Sequence, residues 1–159
     1  LKKKKQLAWY YEQQLLGYNY RISDIQAALG NSQLKKLELF TKKRNYINQI
    51  YRERFINFAV KFQFIEKNNF SSFHLVIVLF KSQKIRNKIF DFLRKKNYFV
   101  TLHYIPIYRH PFYKKFNFNY LAYPNCEDYY KRALSIPIYY DLKIKEIKEF
   151  VEEIKKFLK

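Results

Sequence analysis

The amino-acid sequence predicts an α/β chain (an α+β small domain) in which a long helix is followed by a small mixed sheet packed by helices. Apolar residues recur at spacings of three and four between residues 23 and 55, which is typical of amphipathic helices. A short apolar run rich in β-branched residues then spans 73–80, and helix and strand patterns alternate from there to residue 158. With 48% hydrophobic residues among 159, the chain can build a core.

The first helical region begins at Ser23. Ser23 and Gln26 have the spacing of a capping box, in which both side chains satisfy free backbone N–H groups of the first turn. Gly30 and Asn31 predict a break, after which a second helix continues. Its apolar positions are Leu34, Leu37, Phe40, Ile47, Ile50, Tyr51 and Phe55. This helix is too long to be covered by the rest of the chain, which suggests that it spans between two larger bodies.

The next elements alternate between strand and helix. The run 73–80 (FHLVIVLF) is typical of a strand buried on both faces. Ser82 is placed to cap a helix that ends near Asn97, where Lys95 and Lys96 suit a helix C-terminus. Residues 98–105 predict a second strand, which ends at Pro106 because proline has no N–H to donate to a ladder.

The last third of the chain predicts three more elements after a proline-containing loop. These are a short helix at 127–133, a brief strand at 134–138 and a final helix capped by Asp141. The apolar face of the final helix consists of Ile144, Ile147, Val151, Ile154 and Leu158.

The formal charge of +19 raises the hypothesis of a nucleic-acid-binding module, because clustered Lys and Arg neutralise phosphates. Lysine outnumbers arginine 24 to 8, the lysines lie mostly in pairs on predicted helix surfaces, and no finger, RRM or helix-turn-helix signature accompanies them. These features argue against nucleic acid as a partner. No run approaches the roughly 20 apolar residues of a membrane span, so we expect no membrane association and a cytoplasmic location.

Few residues point to self-contained chemistry. The only two glycines, Gly17 and Gly30, exclude a glycine-rich phosphate loop. The three histidines, His74, His103 and His110, lack metal-ligand spacing, so we expect no metal site. The single Cys126 has no intrachain partner and excludes an internal disulfide.

A polar and aromatic loop, GYNYR at 17–21, directly precedes the capped helix. Asn19 can present both an amide donor and a carbonyl acceptor, and Arg21 carries a planar fork suited to phosphate or carboxylate. Such a loop can position a ligand. The alternative, in which both side chains satisfy backbone groups around the turn, stays open.

The loop and the helix after it, residues 17–37, resemble the hallmark region of the DegT/DnrJ/EryC1/StrS sugar aminotransferases. Further matches follow in the family's order: SSFHL at 71–75, LHYIPIY at 102–108, PNCEDYY at 124–130 and LSIP at 134–137. The resemblance therefore extends over nearly the whole chain. Asn31 and Cys126 depart from it, since they stand where the family usually has a hydrophobic residue and an alanine.

The resemblance implies the carboxy-terminal part of a fold-type-I transferase dependent on pyridoxal 5'-phosphate (PLP). Residues 1–56 would hold a remnant of the large domain, a dimer-contacting loop and the connecting helix, and residues 57–159 would form the small domain. It also implies a homodimer that transfers an amino group from glutamate to the 4-keto carbon of a UDP-linked 4-keto-6-deoxy sugar. The lysine that holds PLP is expected upstream of residue 1, so we expect no catalytic residue here and no activity from the chain alone.

The resemblance also implies roles for individual residues. Asn19 matches an asparagine that reaches the cofactor and substrate across the dimer interface, and Arg21 beside it would serve a phosphate or the interface. Four consecutive residues match the element that lines the sugar-nucleotide pocket: Leu102, His103, Tyr104 and Ile105. A subunit of a split enzyme, which complements a separate amino-terminal half, is an alternative interpretation.

Overall fold

The computed structural model describes residues 13–158. These residues fall into two compact units, one that ends at Lys36 and one that begins at Leu37. Residues 1–12 of the predicted first domain and Lys159 lie outside the described residues.

The first unit contains helix α1, Asp24–Leu34. The predicted capping box is confirmed, because the Gln26 N–H donates to Ser23 Oγ and the Ser23 N–H donates to Gln26 Oε1 at 3.0 Å. The predicted break at Gly30 and Asn31 is wrong, since α1 runs through both. A mid-helix glycine costs only about 1 kcal/mol relative to alanine, which weakens a helix without ending it.

Helix α2, Leu37–Arg54, is the predicted long helix, and it opens the second unit. Its buried residues include Ile47, Ile50 and Tyr51, which belong to the predicted apolar stripe. The Tyr51 hydroxyl donates to the carbonyl oxygen of Pro137 at 2.9 Å, and its ring meets that of Phe150 edge-on at 6.2 Å. These contacts fix α2 against the later part of the chain.

The sheet has three strands in the order β1-β2-β3: β1 is Lys61–Phe62, β2 is Val76–Leu79 and β3 is Ala133–Ile136. Both pairings are antiparallel, so the sheet is antiparallel rather than mixed. β2 is the core of the predicted strand at 73–80; it starts later because Phe73 has φ 45°, a left-handed conformation that does not continue a strand. β3 covers the first part of the predicted strand at 134–138.

The predicted strand at 98–105 is wrong, because only Thr101 pairs with the sheet. Thr101 and Ser135 exchange two backbone hydrogen bonds, of 3.3 and 2.8 Å, and form an isolated bridge. Val100 is buried, whereas Phe99 is 82% exposed. Just before the bridge, the Val100 N–H donates to the carbonyl oxygen of Tyr98 at 3.0 Å, so this part of the segment bonds to itself rather than to β3.

Three further helices pack in the second unit. Helix α3, Gln83–Lys95, is capped as predicted by Ser82, whose Oγ accepts the Ile85 N–H at 3.3 Å. Helix α4, Pro124–Arg132, begins earlier than predicted because proline suits the first helical position.

Helix α5, Ile144–Lys155, begins after Lys143, so the predicted cap at Asp141 is wrong. Glu146 Oε2 accepts the Lys143 N–H at 2.8 Å instead.

The core of the second unit lies between these helices and the two longer strands. Every residue of β3 is buried, as are Val76, Ile77 and Val78 of β2. Burial of consecutive strand residues means that both faces of the sheet are covered, as the run at 73–80 predicts. Ile147 of α5 is fully buried on this core. Within residues 13–158, no helix is both long and apolar enough to cross a membrane.

Candidate functional site

His103 follows the Thr101 bridge and is held from two sides. Its ring Nδ1 lies 2.7 Å from the Oγ of Ser135, which is buried in β3. The Tyr129 hydroxyl of α4 donates to the backbone oxygen of His103 at 3.1 Å. The first contact fixes the ring and the second fixes the main chain, so Nε2 is the ring nitrogen that remains available to a ligand.

The residues on either side of His103 present both polar and apolar surface. Tyr104 is 71% exposed and Ile105 is 45% exposed, whereas Leu102 is half-buried. The rings of His103 and Tyr104 meet edge-on at 4.6 Å across a cis peptide bond. The segment 102–105 can therefore offer a ligand the imidazole of His103, the phenol of Tyr104 and the branched aliphatic side chain of Ile105.

A buried carboxylate anchors the residues that follow. Glu127, in the first turn of α4, is 6% exposed and accepts three hydrogen bonds. The Tyr108 hydroxyl donates to its Oε1 at 2.9 Å, and Arg109 donates through Nε at 2.8 Å and Nη2 at 2.5 Å. We call this set of three residues the Glu127 clamp. It ties the turn after Ile105 to α4.

Within the clamp, the negative charge of Glu127 is paired with the positive charge of Arg109. The hydrogen bond from Arg109 lowers the pKa of the Glu127 carboxyl below its ordinary value, and the same bond raises the pKa of Arg109. Burial raises the pKa of the Tyr108 phenol, and hydrogen bonds with Cys126 and Glu127 raise it further. At neutral pH Glu127 is thus an anion that accepts hydrogen bonds from two fixed side chains, Tyr108 and Arg109.

Sequence reasoning missed the clamp. Its acid lies in the PNCEDYY segment, and Arg109 lies 18 residues earlier, beyond the reach of any helical or strand periodicity. The available signal was a glutamate near the start of a proline-initiated helix, in a chain with only 13 acidic residues. A scarce acid among many bases is a reasonable place to look for a buried ion pair.

Asn19 and Arg21 lie in the first unit, in the non-helical segment before α1, and both side chains are exposed. Neither forms a side-chain hydrogen bond with the turn in the part of the chain that the structure describes. The rings of Tyr18 and Tyr20 lie 5.6 Å apart beside them. The alternative in which both residues only satisfy local backbone groups therefore gains no support here.

The predicted site residues are divided between the units, with 19 and 21 in the first and 102–105 in the second. Among the described residues, no group of three or more His, Cys, Asp or Glu side chains is placed to hold a metal ion. Cys126 is exposed.

Comparison with known proteins places this geometry in a family. The model of the DegT/DnrJ/EryC1/StrS aminotransferase family matches residues 2–155. The chain belongs to this family. Its sequence is 35% identical over 164 residues to the Campylobacter jejuni UDP-4-amino-4,6-dideoxy-N-acetyl-beta-L-altrosamine transaminase, covering 94% of this chain and 40% of that protein.

Solved structures agree with the family match. Helicobacter pylori PseC, an aminotransferase involved in the biosynthesis of pseudoaminic acid, superposes with a TM-score of 0.81 at 27% identity, over 97% of this chain and 42% of PseC. Spr1654 of Streptococcus pneumoniae, in its PMP form, superposes with a TM-score of 0.84 at 25% identity, over 94% of this chain and 38% of that one. The chain spans about two fifths of the length of the curated relatives it matches.

The family is one of PLP-dependent sugar aminotransferases, and Spr1654 is known in both PLP and PMP forms. Asn19, the residue predicted to meet the cofactor, is exposed in the segment before α1. An amide in that position can contribute one contact to a cofactor, but it cannot hold the phosphate, the ring and the aldehyde carbon together.

Proposed function

We propose that this chain is the carboxy-terminal part of a nucleotide-sugar aminotransferase, in which the segment 102–105 lines the sugar-nucleotide pocket. The observation that carries the proposal is the fixing of His103 by Ser135 and Tyr129 within a family-matched segment that leaves Tyr104 exposed. Fixed polar groups on a buried scaffold are the usual basis of ligand orientation.

The proposed reaction is transfer of an amino group from glutamate, by way of PLP, to the 4-keto carbon of a UDP-linked 4-keto-6-deoxy sugar. Its support is the likeness to the Campylobacter jejuni transaminase and to PseC. PLP supplies the electron sink of this chemistry when bound. A soluble cytoplasmic homodimer is part of the same proposal.

This chain's residues would bind and orient rather than react. His103 Nε2 and the Tyr104 hydroxyl would hydrogen-bond sugar or diphosphate oxygens, and Leu102 and Ile105 would make apolar contacts. In the first unit, the Asn19 amide would contact the cofactor and substrate of the partner subunit, and the Arg21 guanidinium would bind a phosphate or the interface.

The domain assignment and the missing catalytic group belong to the same proposal. Residues 1–56 would form the large-domain remnant, dimer-contacting loop and connecting helix, and residues 57–159 the small domain. The lysine that holds PLP would come from the three fifths of such an enzyme that this chain does not match. The chain alone would then be inactive, and a split enzyme with a separate amino-terminal half would need the same lysine from that half.

Complementation tests the proposal. The chain is mixed with the amino-terminal part of the Campylobacter jejuni relative, and amination of a UDP-4-keto sugar is followed with glutamate as donor. We expect cofactor absorbance and amination only when both parts are present. His103→Ala should raise KM for the sugar nucleotide several-fold, whereas His74→Ala, at an exposed histidine, should not. Amination with an identical KM for both variants would refute the role of His103, and a PLP-loaded mixture without amination would refute the reaction.

A further inference from the structure

The turns that follow segment 102–105 border an open cavity of about 530 Å³. This volume lies within the range of about 300–1,000 Å³ that is typical of small-molecule sites. The cavity is lined by Tyr108, Arg109, Lys114, Asn117, Phe118 and Tyr120. All six lie between residues 108 and 120, on or beside three short 3₁₀ turns: Ile107–Arg109, Pro111–Phe116 and Tyr120–Ala122.

The lining carries positive charge and no carboxylate. Arg109 and Lys114 supply two cations, and Glu127 behind Arg109 neutralises one of them without lining the cavity. A guanidinium has five N–H donors, and two of those of Arg109 point to Glu127. The others remain for a ligand, because the Arg109 side chain is 37% exposed. The cavity thus has a net attraction for an anion.

Arg109 is also held in place before any ligand arrives. Besides the bonds to Glu127, its guanidinium carbon lies 5.6 Å from the centre of the Tyr120 ring and 5.3 Å from that of Tyr130. A cation that packs against two rings and bonds a buried carboxylate loses little freedom when it binds an oxyanion. The fixed Arg109 guanidinium therefore favours a phosphate or diphosphate ligand, because its planar fork matches the geometry of phosphate oxygens.

The remaining walls suit a flat heterocycle. Phe118 is 47% exposed and Tyr120 is 52% exposed, so both rings have free surface. Asn117, in the left-handed conformation at φ 50°, lies between Lys114 and Phe118 on the chain and adds an amide that both donates and accepts. Aromatic rings with an adjacent amide are the groups on which proteins stack and hydrogen-bond nucleobases.

We propose that this cavity binds the nucleoside diphosphate portion of the substrate, with the diphosphate on Arg109 and Lys114 and the base against Tyr120 and Phe118. The inference rests on the proposed function for its substrate class. It assigns the nucleotide end to the 3₁₀ turns and leaves the sugar end to segment 102–105. Helix α4 then supports both ends, because Tyr129 holds the main chain of His103 and Glu127 holds Tyr108 and Arg109.

Binding of UDP to the full chain, measured by calorimetry, tests the site. Lys114→Met should weaken UDP binding about tenfold, as loss of a charge-assisted contact does. Lys84→Met is the matched control at an exposed lysine of α3 and should leave binding unchanged. Tyr120→Ala should weaken UDP more than inorganic pyrophosphate, because it removes the base contact as well as the ring beside Arg109. Both test positions are exposed, so these variants should fold.

The outcomes separate this inference from the proposed function. Equal losses of UDP and pyrophosphate affinity in Tyr120→Ala would overturn the base contact, and equal losses of UDP affinity from Lys114→Met and Lys84→Met would overturn the diphosphate contact. In the complementation assay, amination with an unchanged KM for Lys114→Met would refute this site while the proposed function stands. UDP binding that depends on Lys114 and Tyr120, without amination, would support the site and refute the proposed reaction.

Discussion

Replacement of Glu127 by Gln is the most direct test of how the site is supported. The side-chain shape is kept, but the amide offers one acceptor oxygen where the carboxylate offered two, and its NH₂ group faces a donor of Arg109. Hydrogen bonds to charged groups contribute about 1.5–3 kcal/mol each. Because the Arg109 side chain is 37% exposed and can regain water, we expect a net loss of about 2 kcal/mol in the free energy of unfolding.

The loss should depend on pH in a defined direction. The pKa of Glu127 in the folded state lies below its ordinary value of 4.5, so the carboxylate's contribution is complete above that pH. As pH falls through the folded-state pKa, the wild-type carboxyl gains a proton and its advantage over glutamine disappears. The difference between wild type and Glu127→Gln should therefore be constant from pH 7 down to about 5 and shrink below the ordinary pKa.

Thermal and urea unfolding of the full chain, followed by circular dichroism, measures both effects. At about 2–4 °C per kcal/mol for a chain of this size, the midpoint should fall by about 4–8 °C at pH 7. Glu149→Gln is the control: its carboxylate is exposed and 3.9 Å from Lys145, so the change should stay within about 0.5 kcal/mol. Equal effects of the two variants, or a Glu127→Gln loss that persists undiminished at pH 3, would refute the reasoning.

Three other changes probe the core and the fixed histidine. Ile147→Ala should cost about 2–5 kcal/mol, because Ile147 is fully buried, whereas Ile144→Ala on the same helix, 40% exposed, should cost well under half as much in the same urea titration. Tyr51→Phe removes the donor to a backbone carbonyl and should cost about 1 kcal/mol in thermal unfolding, with a core that is otherwise unchanged by NMR. Ser135→Ala should cost about 1 kcal/mol and increase the mobility of the His103 ring, seen as broader or shifted imidazole resonances; unaltered resonances would contradict the role of that contact.

Local patterns predicted the elements that bury a continuous apolar face. Helices α2, α3 and α5 were placed by apolar residues at helical spacing, and the caps at Ser23 and Ser82 by short-range chemistry that acts within one turn. The Asp141 cap failed because α5 begins later, at Ile144, where the Glu146 carboxylate accepts the backbone N–H of Lys143. Competing caps within three residues cannot be ranked from spacing alone.

Pairing partners could not be predicted in the same way. The segment 98–105 has strand-like composition, yet the Val100 N–H bonds to Tyr98 within the segment and only Thr101 pairs with β3. Strand β1 escaped notice because two residues carry no periodicity. The Glu127 clamp depends on a contact across 18 residues, and only the folded chain brings its members together. The segment 102–105 was located by resemblance to a family rather than by any local physical signal.

The sheet has short edges. Strand β1 presents two residues, of which Lys61 is exposed and charged, and the outer side of β3 already engages Thr101 in a bridge. Brief, charged or covered edges offer little backbone for another chain to extend, which discourages amyloid-like stacking. Any self-association of this chain should therefore proceed through contacts between side chains rather than through addition of strands. Mild detergent should weaken such association more than proline substitutions in the strands do.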